Sequence, residues 1–183
     1  MPPFVTVIIV IIAFLFFGVL VWYVSTRNAI KRAELKVAEA ESGIDVALTK
    51  RYDMLTKAVS AAKTYAGHEK DLLITVAGLR NGAPLAEKLE QSKRLDELAG
   101  RITAVAEAYP ELKADSVFVA LQAQIADAEE HLQAARRLYN SNVSRYNEKL
   151  VTFPSSVVAG RMALEPKEYF SADPAKTDDV SIK

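Results

Sequence analysis

Apolar side chains fill the first part of the chain without interruption. Residues 4–24 read FVTVIIVIIAFLFFGVLVWYV, with no charged side chain and one weakly polar one, Thr6. A helix of this length is ~31 Å long, close to the ~30 Å hydrocarbon core of a bilayer. A core helix of a soluble domain would show a polar face, and this segment has none. The pattern predicts a transmembrane helix, whose representative residues are Phe4, Phe14, Gly18, Trp22, Tyr23 and Val24.

Basic residues follow this segment and none precedes it. Arg27, Lys31, Arg32 and Lys36 lie just after it. The positive-inside rule therefore predicts a short N-terminus outside and a cytoplasmic C-terminal part. The same residues could also contact anionic lipid headgroups. A cleaved signal peptide is the alternative, but the apolar run is too long for one and no clean cleavage site follows.

A helical period begins after the apolar segment. Residues 27–66 contain one glycine and no proline, so a first long helix is expected there. A second long helix is expected from about Glu111 to Thr152. Shorter helices are predicted at 68–80, after a C-cap at Gly67, and from Pro84 to about Tyr109. The second long helix keeps a heptad spacing over four repeats, which is typical of coiled coils. The apolar stripes are Ile44, Leu48, Tyr52, Leu55, Val59, Ala62 and Ala66 on the first helix, and Phe118, Leu121, Ile125, Ala128, Leu132, Ala135, Tyr139, Asn142 and Tyr146 on the second.

Phe153 and Pro154 end this last long helix. The chain is then expected to fold back, with Tyr169 and Phe170 as apolar anchors, before a disordered polar tail at 171–183. No strand pattern appears anywhere in the sequence. The fold class is therefore all-α: an N-terminal transmembrane helix (residues 1–26) followed by a long helical bundle (residues 27–170).

Composition narrows the chemistry that the chain can carry. It has 183 residues, no cysteine, two histidines, and 23 basic against 23 acidic residues. A disulfide scaffold, a thiolate metal site and a cysteine nucleophile are excluded, and zero net charge argues against nucleic-acid binding. No phosphate-binding loop, dinucleotide fingerprint or nucleophile elbow occurs. We therefore expect no enzyme activity, no cofactor and no small-molecule substrate.

The two histidines do not complete a metal site. His68 and Glu69 begin a zinc-protease pattern, but Leu72 stands where its second histidine belongs. Asp127 and His131 share a helix face, and two ligands do not close a site.

Two clusters are candidates for structure or for recognition. Arg51 and Asp53 flank Tyr52, which indicates either a packed tyrosine with an edge ion pair or a docking patch for a partner. In the last long helix a Tyr–Asn pattern repeats after seven residues. A polar Asn in a stripe can fix helix register, and the alternative is an exposed recognition surface. The residues of this pattern are Tyr139, Asn140, Asn142, Tyr146 and Asn147.

Several segments together resemble the LemA family. They are IDVALTKRYDML (44–55), YAGHEKDLL (65–73), AVAEAYPELKA (104–114), ARRLYNSNVSRYNEKLVTFPS (135–155) and EPKEYF (165–170). Three positions depart from the family's pattern. The proline usual after the RYD segment is missing, Ser156 replaces an asparagine, and Ala163-Leu164 replaces the usual Gly-Phe.

The resemblance implies a bacterial single-pass membrane protein with an antiparallel helical domain and no established enzymatic activity. Its expected location is the inner membrane, or an organelle membrane derived from it. The family includes relatives linked to building the magnetosome membrane. The expected function is a non-enzymatic scaffold that uses the lipid membrane and binds protein partners or further copies of itself. The alternative is an accessory or chaperone-like subunit of another membrane protein, such as a protease or transporter.

Overall fold

The computed structural model describes residues 3–65 and 84–170, and every regular element within these ranges is an α-helix. The predicted all-α fold class is confirmed. The predicted transmembrane helix and the first long helix form one uninterrupted helix. Gly67, the helix expected at 68–80, with His68 and Glu69, and the tail at 171–183 lie outside the described residues. The helices are α1 (Pro3–Ala62), α2 (Leu85–Ala108), α3 (Pro110–Ala114), α4 (Ser116–Val151) and α5 (Ser155–Arg161).

The single helix expected from 111 to 152 is wrong, because Asp115 divides it into α3 and α4. Asp115 has an extended backbone, with φ −65° and ψ 124°. Its carboxylate accepts hydrogen bonds from the backbone N–H groups of Val117 at 2.7 Å and Phe118 at 3.3 Å. An aspartate in this position caps the first turn of a helix and satisfies amides that would otherwise lack partners. The capping preference of Asp115 therefore overrides the helical period.

The chain forms two compact units. Of the described residues, unit 1 comprises residues 3–38 and 141–169, and unit 2 comprises residues 39–65, 84–140 and 170.

In unit 2, parts of α1 and α4 pack with α2. Lys50 pairs with Asp127, and Tyr65 after α1 bonds to Asp115 before α4, so these two helices are antiparallel. The predicted stripes are buried at most positions, including Ile44, Leu55 and Leu132, which are each 0% exposed. Tyr52 departs from the pattern, because it is half-buried whereas its neighbour Arg51 is only 4% exposed.

In unit 1, the part of α1 that follows the apolar segment packs with the end of α4, and α5 adds buried side chains to the same unit. Its core contains Ile30, Val37, Val143, Tyr146 and Val158, all nearly or fully buried. Val143 takes the core position next to Asn142, which is half-buried. The Asn142 side chain instead donates a hydrogen bond of 3.3 Å from Nδ2 to the backbone carbonyl of Lys36. α4 ends at Val151. This position agrees with the helix end that Phe153 and Pro154 predict.

Candidate functional site

The apolar segment at the start of α1 is exposed along nearly its whole length. Phe4 is 64% exposed, Phe14 77% and Trp22 38%, and Val24 is also exposed, whereas Tyr23 is half-buried. Gly18 has open space around the position of a β-carbon. Among the described residues, one helix is long and apolar enough to cross a membrane, and it is α1. The polar face that a soluble amphipathic helix needs is absent from this segment.

Arg51 is the centre of a buried ion-pair cluster in unit 2. Its Nη2 lies 2.7 Å from Oδ1 of Asp96 on α2, and its Nε lies 3.0 Å from Oε2 of Glu129 on α4. The Arg51 side chain is 5% exposed, while the two carboxylates reach solvent. One guanidinium thereby connects three helices, and its planar set of donors suits contacts to two carboxylates at once.

Lys88 on α2 forms a second buried pairing. Its Nζ lies 2.9 Å from Glu41 and 3.0 Å from Asp45, both on α1, and its side chain is 3% exposed. Burial of the ammonium acts to lower its pKa, but the hydrogen bonds from Lys88 to Glu41 and Asp45 outweigh burial. The pKa of Lys88 consequently lies above its ordinary value.

The order of these contacts gives the direction of α2. Lys88 contacts Glu41 and Asp45 of α1, and Asp96, eight residues later on α2, contacts Arg51. α1 and α2 therefore run parallel in unit 2.

Arg136 on α4 lies next to this cluster. Its Nη2 donates a hydrogen bond to the hydroxyl of Ser92, and its guanidinium carbon lies 5.0 Å from the ring centroid of Phe170. This second contact is a cation–π interaction. Burial lowers the pKa of Arg136 below its ordinary value. Among the described residues, the buried atoms Arg136 Nε, Arg51 Nη1, Arg51 Nε and Glu129 Oε2 have no hydrogen bond. The Arg51–Glu129 contact is therefore an ion pair without hydrogen-bond alignment.

A groove of 320 Å³ lies beside Arg51 in unit 2. Apolar side chains from three helices line it, with Leu55 from α1, Ile102 from α2 and Ile125 from α4. Arg51, Glu129, Thr103 and Gln122 supply its polar lining. The groove therefore combines apolar side chains with the Arg51–Glu129 ion pair that links α1 and α4.

Asn140, Tyr146 and Asn147 of the Tyr–Asn pattern on α4 bind backbone groups of residues 165–170. In unit 1, the Asn147 amide donates to the carbonyl of Lys167 and accepts from its N–H, both at 2.9 Å. In unit 2, Asn140 makes the same pair of bonds with Phe170, at 3.0 and 2.8 Å. Tyr139 and Tyr146 are buried, and the Tyr146 hydroxyl donates to the carbonyl of Glu165. Burial raises the pKa of Tyr146.

The remaining predicted residues lie at the surface, except for Phe170. Phe153 is 80% exposed and Tyr169 48%, whereas Phe170 is 4% exposed and is the apolar anchor of the pair. Asp53 and Pro154 are exposed as well. Tyr169 therefore does not serve as the second apolar anchor.

Asp127 and His131 share a helix face, as their spacing predicts. Asp127 Oδ1 lies 3.5 Å from His131 Nε2, and Lys50 engages the other Asp127 oxygen at 2.7 Å. The Lys50 hydrogen bond lowers the pKa of Asp127. Over residues 3–65 and 84–170, no group of three His, Cys, Asp or Glu side chains could hold a metal ion.

Sequence reasoning did not find Asp96, Glu129, Lys88 or Arg136 as members of a cluster. Each is an ordinary charged residue in a helical pattern, and the partners are separated by forty or more residues. One signal was available: Lys88, Ser92 and Arg51 occupy positions where the helical period places apolar side chains.

Comparison with known proteins decides the family. The model of the LemA family matches residues 40–183. The chain belongs to the LemA family. Protein LemA of Metamycoplasma hominis is 25% identical to it over 163 residues, covering 86% of this chain and 74% of that protein. The resemblance identified from sequence segments is therefore confirmed. The residues before position 40, which include the apolar segment of α1, lie outside the LemA family match.

Proposed function

We propose that this LemA-family chain is a membrane-anchored, non-enzymatic scaffold that organises a bacterial envelope or organelle membrane through protein partners or self-association. One observation carries the proposal. In unit 1, α1 passes from the exposed segment at 4–24 to the buried residues Ile30 and Val37 without any break in the helix. A helix that crosses the bilayer therefore continues directly into the packed part of this unit.

The ion pairs of unit 2 support a structural role for its charged residues. Arg51 contacts one carboxylate on α2 and one on α4, and Lys88 contacts two carboxylates on α1, so each cation links its helix to neighbouring ones. Carboxylate partners offset the cost of burying a cation, and removing them would leave an uncompensated buried charge, so the pairing favours this arrangement of the helices. We infer that the cluster maintains the shape of a binding surface rather than carrying out chemistry.

Exposed apolar side chains on unit 2 supply candidate contacts for partners. Val46 is 68% exposed, Val119 50% and Leu138 59%. Buried apolar area provides much of the free energy of protein association, so such side chains are suitable anchors.

Orientation remains part of the proposal, with the helical domain in the cytoplasm. A reporter fused after Lys183 should be active only there, and activity outside the cell would contradict this orientation.

Photo-crosslinking in cells tests the scaffold directly. A photo-reactive amino acid is placed at Val46, Val119 or Arg145, which are exposed, and at Leu48 as the buried control on the same helix as Val46. The account predicts crosslinks from the exposed positions to further copies of the chain or to several envelope proteins, and none from position 48.

Two other outcomes would count against the scaffold. One dominant adduct to a single foreign membrane protein would identify the chain as an accessory subunit of that protein. Crosslinking that is equal at exposed and buried positions, or absent at all of them, would remove the evidence for a partner surface.

A further inference from the structure

Unit 1 carries an exposed apolar cluster at the end of α4. Val151 is 73% exposed, Phe153 80% and Val157 51%. Val158 and Ala159, the next residues of α5, are fully or nearly buried, so α5 packs on one side and leaves Val157 outward. These three side chains lie within seven residues of one another in the sequence, and contiguous exposed apolar surface is typical of interaction sites.

The register of α1 and α4 in unit 1 shows which residues of α1 lie beside this cluster. Asn142 contacts the carbonyl of Lys36, and Tyr146, four residues later on α4, lies close enough to Glu34 and Lys31 of α1 for a charge interaction, so the two helices run antiparallel here. Val151 lies nine residues after Asn142, which is ~13.5 Å further along α4. The same distance back along α1 from Lys36 leads to Arg27, three residues after the last residue of the apolar segment.

Burial along α1 agrees with this level. The helix is exposed at Trp22, half-buried at Tyr23 and Thr26, and fully buried at Ile30. Packing against α1 therefore begins where the apolar segment ends. The headgroup layer on each side of the hydrocarbon core is ~5–8 Å thick, so side chains at the level of residues 24–27 lie within it.

We propose that Val151, Phe153 and Val157 insert into the interfacial layer of the bilayer that α1 crosses, and form a second membrane contact of the chain. The proposal rests on the membrane anchoring given above. Apolar side chains near the headgroups bury their surface among the acyl chains, as amphipathic membrane-surface segments do. Arg27, at the corresponding level of α1, and Arg161, four residues after Val157, are exposed and suit anionic headgroups. Glu148, three residues before Val151, is an exposed acidic residue.

Tryptophan fluorescence in vesicles tests the insertion. Trp22 is the single tryptophan of the chain, so the double variant Trp22→Phe/Phe153→Trp has one tryptophan at the cluster. The full-length protein is reconstituted in phosphatidylcholine–phosphatidylglycerol vesicles whose acyl chains carry bromine either near the headgroup or near the methyl end. The proposal predicts a blue-shifted emission that shallow bromine quenches more strongly than deep bromine.

Ser141 provides the matched control position within unit 1. It is exposed and lies ten residues before Val151 on α4, ~15 Å further from the apolar segment. In Trp22→Phe/Ser141→Trp, neither lipid should quench the emission. The proposal would be overturned if the tryptophans at positions 153 and 141 had the same emission and neither were quenched. It would also be overturned if the emission at position 153 were blue-shifted but not quenched by bromine, and if this shift disappeared on dilution in lipid. That result would indicate contact with a second copy of the chain.

The wild-type protein separates this proposal from the anchoring itself. Quenching of Trp22 without quenching at position 153 would refute only the second contact. No quenching of Trp22 by either lipid would refute the membrane anchor, and the second contact with it.

Discussion

Ala163 is the one non-glycine residue of the described chain with a positive φ, at 48°. It follows α5, at the position where the LemA pattern has a glycine. The left-handed conformation costs an L-residue about 1–2 kcal/mol, and glycine adopts it freely. The backbone at Ala163 is therefore strained just after the end of α5.

Replacing Ala163 by glycine should stabilise the protein. The relief of backbone strain exceeds the extra conformational entropy that glycine gives the unfolded chain, which leaves a net gain of about 0.5–1 kcal/mol. Chemical denaturation of Ala163→Gly measures the gain. Gly160→Ala is the matched control inside α5, where no atom lies within 4 Å of the added carbon and alanine improves helix propensity. A loss of stability in Ala163→Gly would contradict the backbone geometry described for this turn.

Lys88 should contribute stability that depends on pH. Lys88→Met removes the shared partner of Glu41 and Asp45, and because both carboxylates are partly exposed we expect a loss of about 2 kcal/mol. The pKa of Lys88 is raised above 10.5 in the folded state. Its contribution is therefore complete below pH 10.5 and is lost as the pH rises through the raised pKa.

The difference in melting temperature between wild type and Lys88→Met should stay constant from neutral pH to about 10.5 and shrink above it. Lys57→Met, at an exposed position of α1, should change stability little at any of these pH values. An equal effect of both variants, or a Lys88 difference that grows at high pH, would refute the buried pairing.

At the scale of elements, α4 has one apolar face and two leucines that test it. Leu132 is 0% exposed, whereas Leu138, six residues later on the same helix, is 59% exposed. Leu132→Asp buries an unpaired carboxylate and should abolish cooperative unfolding, and Leu132→Ala should cost about 2–5 kcal/mol. Circular dichroism melting measures both, with Leu138→Asp as the control that leaves the transition unchanged. A normal melt for Leu132→Asp would mean that the assigned face of α4 is wrong.

The segment that follows α5 in unit 1, residues 162–169, is held to α4 by Asn147. The Lys167 amide donates to the Asn147 side chain, so Asn147→Ala should remove its partner and speed hydrogen exchange there. Mass spectrometry of the peptide that contains Lys167 follows the exchange. Asn142→Ala, which removes a bond to the α1 backbone instead, should leave this peptide unchanged. Equal exchange in wild type and Asn147→Ala would show that the segment is held without this pair.

The helical period predicts the elements better than it predicts polar contacts. It identifies the buried faces of α1 and α4, because apolar side chains at three- and four-residue steps lie on one side of a helix. It misses the break at Asp115, where a local cap overrides the pattern, and it favours Asn142 over Val143 at one core position. The partners of Arg51 lie on two other helices, and their pairing follows from packing that no local pattern encodes.

At the scale of the whole molecule, membership of the LemA family covers residues 40–183, and the apolar segment of α1 precedes them. The proposed function depends on that segment, because the scaffold is defined by a helical domain attached to a membrane. The composition of residues 4–24 predicts a span, and two lysines at its centre would make insertion unfavourable. Ile12→Lys/Leu15→Lys is therefore the variant that removes the anchor without touching the LemA region.

Membrane extraction of the full-length chain tests this central claim most directly. Cell membranes are washed at alkaline pH, and pellet and supernatant are compared by immunoblot and intact mass for wild type and Ile12→Lys/Leu15→Lys. The account predicts wild-type protein in the pellet at its full mass of 20.1 kDa, and loss of the variant from the pellet. Wild-type protein released by the wash, or shortened by removal of its first apolar segment, would contradict the account.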